Sequence, residues 1–148
     1  MTNKINVLFL CTGNSCRSQM AEGWTRHLKG DLINVYSAGI ETHGLNTNAV
    51  KVMDEAGVDI SGHKSQHIDE LRDVQIDYVV TVCDHAHETC PFFPGGSKVV
   101  HVGFDDPPRM AREVAEQGGS NDEQLDCFRK VRDEIRSYVE TLPEALTD

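Results

Sequence analysis

An α/β domain, with a parallel sheet of about four strands and helices on both faces, is the architecture this sequence predicts. Two observations carry it. Short runs rich in β-branched and apolar residues alternate along the chain with stretches whose apolar positions recur at helical spacing, the order that builds parallel sheets. The strongest run, Ile76 to Val82, is apolar almost throughout, as suits a strand buried on both faces. The 148 residues fit a single domain over 1–148, long enough to bury a core without disulfides.

Ile5 to Leu10 opens the chain as a strand. Residues 11–18 then form a loop that leads into a helix carrying Met20, Ala21, Trp24 and Leu28 on its apolar face and ending near Lys29-Gly30. Ile33 to Ser37 is a second short strand, closed by Ala38-Gly39. Asn46 or Thr47 caps a helix with Ala49, Val50, Met53 and Ala56 at helical spacing and Gly57 as its stop. A short strand is expected at Val58 to Ile60, a short helix at Asp69 to Val74, and a further strand at Lys98 to Val102. Ser120 and Glu123 have the spacing of a capping box, and behind them Leu125, Phe128, Val131, Ile135, Tyr138 and Leu142 mark a long amphipathic helix.

The formal net charge is −10, and no long Lys/Arg cluster appears, which disfavours nucleic acid and anionic membrane surfaces as partners. An anionic substrate must therefore be held by local design. The N-terminal residues pass straight into a strand without a signal-type apolar region, and a cytoplasmic location is expected. Five cysteines, an odd number, point in a reducing compartment to thiol chemistry or metal binding rather than a structural framework.

The loop Cys11-Thr12-Gly13-Asn14-Ser15-Cys16-Arg17-Ser18 has the chemistry of an oxyanion seat. Gly13, Asn14 and Ser15 tolerate the tight curvature that gathers backbone N–H groups into a cradle. The helix start adds unpaired N–H groups, and Arg17 a planar fork matched to two oxygens. The same field is expected to lower the pKa of Cys11 and favour its thiolate. Ser18 is expected either to cap the helix or to stabilise that thiolate.

Two further stretches bear on the chemistry. Asp105-Asp106-Pro107-Pro108 follows the last strand, and an acid held rigidly there, Asp106 in particular, can protonate a leaving oxygen at Cys11. Cys83 and Cys90 lie seven positions apart, about 10 Å by helical rise. A disulfide needs Cα atoms roughly 4.4–6.8 Å apart. Bonding the two therefore requires any helix between them to unwind, as in a redox switch. Alternatively, Cys83, His85, His87 and Cys90 are all possible metal ligands, although their spacing matches no common zinc ribbon.

The octet at 11–18 resembles the anion loop of the low-molecular-weight tyrosine phosphatases and of the thioredoxin-coupled arsenate reductases that share their fold. With Cys83, Cys90, Asp106-Pro107 and the stretch Arg129 to Ile135, the resemblance to the reductases covers most of the chain. A plain phosphatase does not need the second and third thiols, and its loop usually has proline where this chain has Gln19. The resemblance implies that Cys11 attacks arsenate, held by Arg17 and the amides of residues 12–18, while Asp106 protonates the departing hydroxide. It further implies that Cys83 and then Cys90 carry the resulting disulfide outward to thioredoxin. No cofactor and no metal is expected, and the protein is expected to act as a monomer. Some members hold potassium through residues matching Asn14, Glu22 and Ser37 plus an aspartate, where this chain has Gln66. The alternatives are a phosphatase using Cys11, Arg17 and Asp106 alone, and a non-catalytic protein binding metal or arsenite.

Overall fold

The computed structural model describes residues 4–83 and 97–147. Strands β1 (Ile5–Cys11), β2 (Ile33–Gly39), β3 (Tyr78–Thr81) and β4 (Lys98–His101) form one sheet in the order β2-β1-β3-β4, every neighbouring pair parallel. Val7, Leu8, Phe9 and Leu10 of β1 are all fully buried. Because successive side chains point to opposite faces of a strand, both faces of the sheet are covered at its centre.

The helices are α1 (Arg17–Lys29), α2 (Thr47–Glu55), α3 (Pro107–Glu116), α4 (Asn121–Val139) and the short α5 (Glu144–Thr147). Helix α1 buries Met20, Ala21 and Trp24, and α4 buries Leu125, Phe128, Val131 and Ile135, as their periodicity predicts, with Val139 in addition. Trp24 joins the two: its indole N–H donates to the Arg132 carbonyl at 3.1 Å, and the Arg136 guanidinium lies 5.0 Å from its ring centroid. Arg129 clamps α4 to α2 through Glu55 at 2.9 Å. Asn46 caps α2 by accepting from the Ala49 N–H, and Ser120 and Glu123 form the expected capping box of α4. Among the described residues no helix is long and apolar enough to cross a membrane.

Three elements differ from expectation. Residues 58–60 do not join the sheet: Val58 and Ile60 are buried against Gly23 of α1, where a Cβ would strike the Ile60 side chain. Their apolar groups thus serve a helix rather than a neighbouring strand. The helix expected at Asp69 to Val74 is a single 3-10 turn, Ile68–Leu71, that buries Ile68 and Leu71. The run from Ile76 to Val82 pairs regularly only over Tyr78–Thr81, although Val82 still donates to the Leu10 carbonyl at 3.0 Å.

This order places the candidate chemistry at one rim. β1 has β2 on one side and β3 on the other, so the sheet's C-terminal ends diverge there, the usual position of a ligand crevice. Leu10 pairs with Thr81, which brings the ends of β1 and β3 together just before Cys11 and Cys83. Phe104, entering the Asp105-Asp106 turn, donates to the Val82 carbonyl at 3.2 Å and anchors that loop to the same edge.

Candidate active site

The loop after β1 is shaped from outside. Ile40, Glu41, His43 and Asn46, in the segment after β2, donate their backbone N–H groups to the carbonyls of Cys11, Thr12, Gly13 and Ser15 at 3.3, 2.9, 3.0 and 2.9 Å. Ser65 Oγ adds a second bond to the Gly13 carbonyl at 3.1 Å, and Gln19 Nε2 donates to the Asn14 carbonyl at 3.1 Å. The Cys16 carbonyl accepts from Met20 within α1. With every carbonyl from Cys11 to Cys16 engaged, the loop's N–H groups are the backbone groups left for an anion. Asn14 takes the left-handed conformation, φ 48°, that such a nest requires. The fit depends on two glycines. A Cβ at Gly39 would strike the backbone of Glu41, Thr12 and Asn14, and one at Gly13 would strike the His43 ring.

A cavity of about 520 Å³ opens over this loop, with Cys11, Arg17, His43, Asp106 and Arg112 in its wall. Thr12, Gly13, Ser15 and Cys16 line it as well. Arg17 Nη1 donates to the Phe104 carbonyl at 2.9 Å, so one arm of its fork is fixed to the acid-bearing loop. Asp106 precedes α3 in the N-cap position, yet its side chain makes no capping bond. Pro107 and Pro108 follow it and offer no N–H to hold it there, which leaves the carboxylate to the cavity. Asn14 and Ser18 are wholly buried behind the loop, joined by a bond from Asn14 Nδ2 to Ser18 Oγ of 2.9 Å. Ser18 is not the helix cap, because α1 begins at Arg17 with Cys16 before it.

Cys83 lies against this loop, its sulfur 3.2 Å from Thr12 Oγ1. The Cys83 thiol also hydrogen-bonds Cys11, and this contact, together with burial, holds the Cys11 pKa well above the ordinary thiol range. Arg17 and the Thr12 N–H pull in the expected direction but do not prevail. The lowered pKa that the loop alone predicts is thus corrected by a neighbour 72 positions away. Burial likewise pushes the Cys16 thiol up to about 12, against the pull of Arg17. Cys127 is a buried thiol on α4 that donates to the Glu123 carbonyl at 3.8 Å. Cys90, His85 and His87 lie outside the described residues, and with them most of the alternative metal set. Among the described residues no cluster of three or more His, Cys, Asp or Glu side chains is arranged to hold a metal.

Behind the loop runs a polar network. Gln19, fully buried, donates through Nε2 to Asn14 and to the Lys64 carbonyl, and its Oε1 meets His63 Nδ1 at 3.0 Å. Arg26 donates to His63 Nε2 at 2.8 Å, which makes His63 a neutral ring with its proton on Nδ1. Its pKa is accordingly lowered, first by burial, despite the opposing pull of Glu22. The oxygens matching the family's potassium ligands are occupied by donors. Asn14 Oδ1 accepts from the Gln66 N–H at 2.8 Å, Glu22 from Ser37 Oγ at 2.6 Å and from Arg26 at 2.9 Å, and the Ser37 carbonyl from Gln66 Nε2 at 2.9 Å. An amide N–H₂ takes the place of the aspartate, so the negative ligand of that cation site is missing and a donor faces the Ser37 carbonyl instead.

Sequence reasoning did not assign His43, Gln19 or Arg112 a part in this site. Gln19, Glu22 and Arg26 do recur at helical spacing as a polar stripe on α1, a signal that could have marked a buried network. His43 and Arg112 carry no such pattern.

Residues 6–148 match the family described as low molecular weight phosphotyrosine protein phosphatase. Arsenate reductase from Halalkalibacterium halodurans is 51% identical over 142 residues, 96% of this chain and 97% of that protein. Arsenate reductase from Bacillus subtilis is 50% identical over 144 residues, 97% and 98% of the two chains. A solved structure of an arsenate reductase in the phosphate binding state superimposes with a TM-score of 0.73 at 31% identity, covering 97% of this chain and 99% of that one. The similarity to arsenate reductases thus runs over nearly the whole length, and the chain belongs to the low molecular weight phosphotyrosine protein phosphatase family, on its arsenate reductase branch.

Proposed function

We propose that this protein reduces arsenate to arsenite through three cysteines and is recharged by thioredoxin, with residues 1–148 acting as one catalytic domain and as a monomer. The observation that carries the proposal is a second thiol, Cys83, set 3.2 Å from the hydroxyl of Thr12, the residue that follows Cys11 in the anion loop. A hydrolytic enzyme has no use for a second thiol there.

In the first step the Cys11 thiolate attacks arsenic, and Asp106 protonates the departing hydroxide to water. Arg17 and the loop N–H groups bear the charge on the remaining oxygens. Cys83, as thiolate, then attacks the Cys11 sulfur. The electron pair of the sulfur–arsenic bond passes to arsenic, As(V) becomes As(III) and leaves as arsenite, and a Cys11–Cys83 disulfide forms. Cys90 next attacks Cys83, releasing the Cys11 thiolate and forming Cys83–Cys90. The thioredoxin dithiol reduces that bond and is itself oxidised, so two electrons enter for each two delivered to arsenic. Such a relay needs cysteines kept reduced, which places it in the cytoplasm.

Mass spectrometry of thiol-labelled protein after a single arsenate turnover tests the relay. Cys11–Cys83 should accumulate in Cys90→Ser, and Cys83–Cys90 in the wild type. Multiple turnover with thioredoxin in Cys90→Ser would overturn the scheme. Hydrolysis of phosphomonoesters is a second reading, favoured by a cavity roomier than a bare tetrahedral anion needs. It predicts release of phosphate from an aryl phosphate by Cys83→Ser but not by Cys11→Ser.

A further inference from the structure

Helix α3 carries two arginines, Arg109 and Arg112, three positions apart and therefore on neighbouring turns of one side. Both are exposed, and among the described residues neither makes an ion pair or hydrogen bond. Every other arginine among the described residues has a partner: Arg17 on Phe104, Arg26 on Glu22, Arg72 on Asp69, Arg129 and Arg132 on Glu55, and Arg136 on Glu140. In a chain of net charge −10, guanidinium groups without carboxylates are unusual. Their placement is specific. Arg112 lines the cavity above Cys11, and Arg109 lines an adjoining cavity of about 330 Å³; the two cavities share Arg17 and Asp106. Of the nearby carboxylates, Asp105 is 3.9 Å from Lys130, and Glu41 is bonded to His43 at 3.1 Å. Pro107 and Pro108 withhold two N–H donors from the start of α3, so positive charge on this side of the cavity comes from side chains.

We propose that Arg112, supported by Arg109, is a substrate-capturing residue: it draws the oxyanion into the cavity against the protein's overall field and passes it to Arg17. The inference rests on the reading of the Cys11 to Arg17 loop as the seat of arsenate. It assigns a task to the segment between the acid loop and α4. Local positive charge at a cleft mouth raises the rate of anion entry and makes that rate sensitive to salt. A group that acts there affects capture more than the chemical step.

The test compares Arg112→Gln, Arg112→Lys, Arg109→Gln and Arg72→Gln at several ionic strengths. Arg112→Gln should lose about fivefold in kcat/KM for arsenate, as for one exposed charge contact, with the loss concentrated in KM and the salt dependence flattened. Arg112→Lys should recover most of it, and Arg109→Gln should show a smaller loss of the same kind. Arg72→Gln changes net charge equally but lies just after the 3-10 turn, outside both cavities, and should behave as wild type. Calorimetric binding of inorganic phosphate to the same proteins gives the result without turnover, so failure of arsenate reduction in the wild type would count against the enzymatic reading alone. Unchanged phosphate affinity and kcat/KM in Arg112→Gln, or an equal loss in Arg72→Gln, would overturn the capture role.

Discussion

The hydroxyl of Thr12 lies 3.2 Å from the sulfur of Cys83. Thr12 follows the candidate nucleophile in the chain, so the contact ties the second thiol to the backbone that carries the first. Such a hydroxyl can accept from the thiol or donate to the thiolate, and so remains a partner through the attack. Thr12→Val keeps the shape and removes the partner. Formation of the Cys11–Cys83 disulfide after arsenate addition should slow about fivefold to tenfold, the worth of one such bond. Quenched single-turnover thiol mapping measures it, and an unchanged rate would make the contact incidental.

The raised pKa of Cys11 comes first from its hydrogen bond with Cys83 and then from burial. Cys83→Ala removes the first cause and leaves Arg17 and the Thr12 N–H. The midpoint of Cys11 alkylation against pH should move down, and the rate at neutral pH should rise. A midpoint that stays put would assign the shift to burial.

Cys16 gives a stability effect with a definite sign. A thiol whose folded pKa is raised binds more protons folded than unfolded across the interval, so stability falls as pH rises. For Cys16 the fall begins near the ordinary value of 9.0 and is complete by about 12. Denaturant melts over that interval should show a shallower alkaline loss in Cys16→Ala than in wild type. Parallel curves would rule out this thiol as the source.

Gln19→Leu tests the network behind the loop. It leaves the Asn14 and Lys64 carbonyls and the Nδ1 proton of His63 without their buried partner, each at about 1–3 kcal/mol. Chemical denaturation should show a loss of at least that size, and phosphate affinity should fall because Asn14 no longer has its left-handed turn held in place. A stable variant with intact phosphate binding would mean that segment 40–46 alone shapes the loop.

Much of this site is written in local spacing. Cys11 to Ser18 announces itself because a nest, a nucleophile and an arginine must be neighbours to share one anion, and Asp106 because proline stiffens the turn it sits on. Capping of α2 and α4 was equally legible, since a cap bonds within three residues of itself. Other features were not. Residues 58–60 have a strand-like composition, and only the packing of Val58 and Ile60 on Gly23 shows that a helix takes them instead.

Taken alone, the order of residues determined the sheet class and marked the candidate anion loop and the candidate reacting side chains, because periodicity, turn chemistry and nucleophile-to-arginine spacing are short-range properties. Tertiary structure decided that Cys83 and burial raise the pKa of Cys11, that Gln66 donates to Asn14 and to Ser37 behind the loop, and that Arg112 overlooks the cavity. Charge, desolvation and hydrogen bonding depend on distance in space. Folding brings together groups tens of residues apart, and no local pattern records which of them will meet.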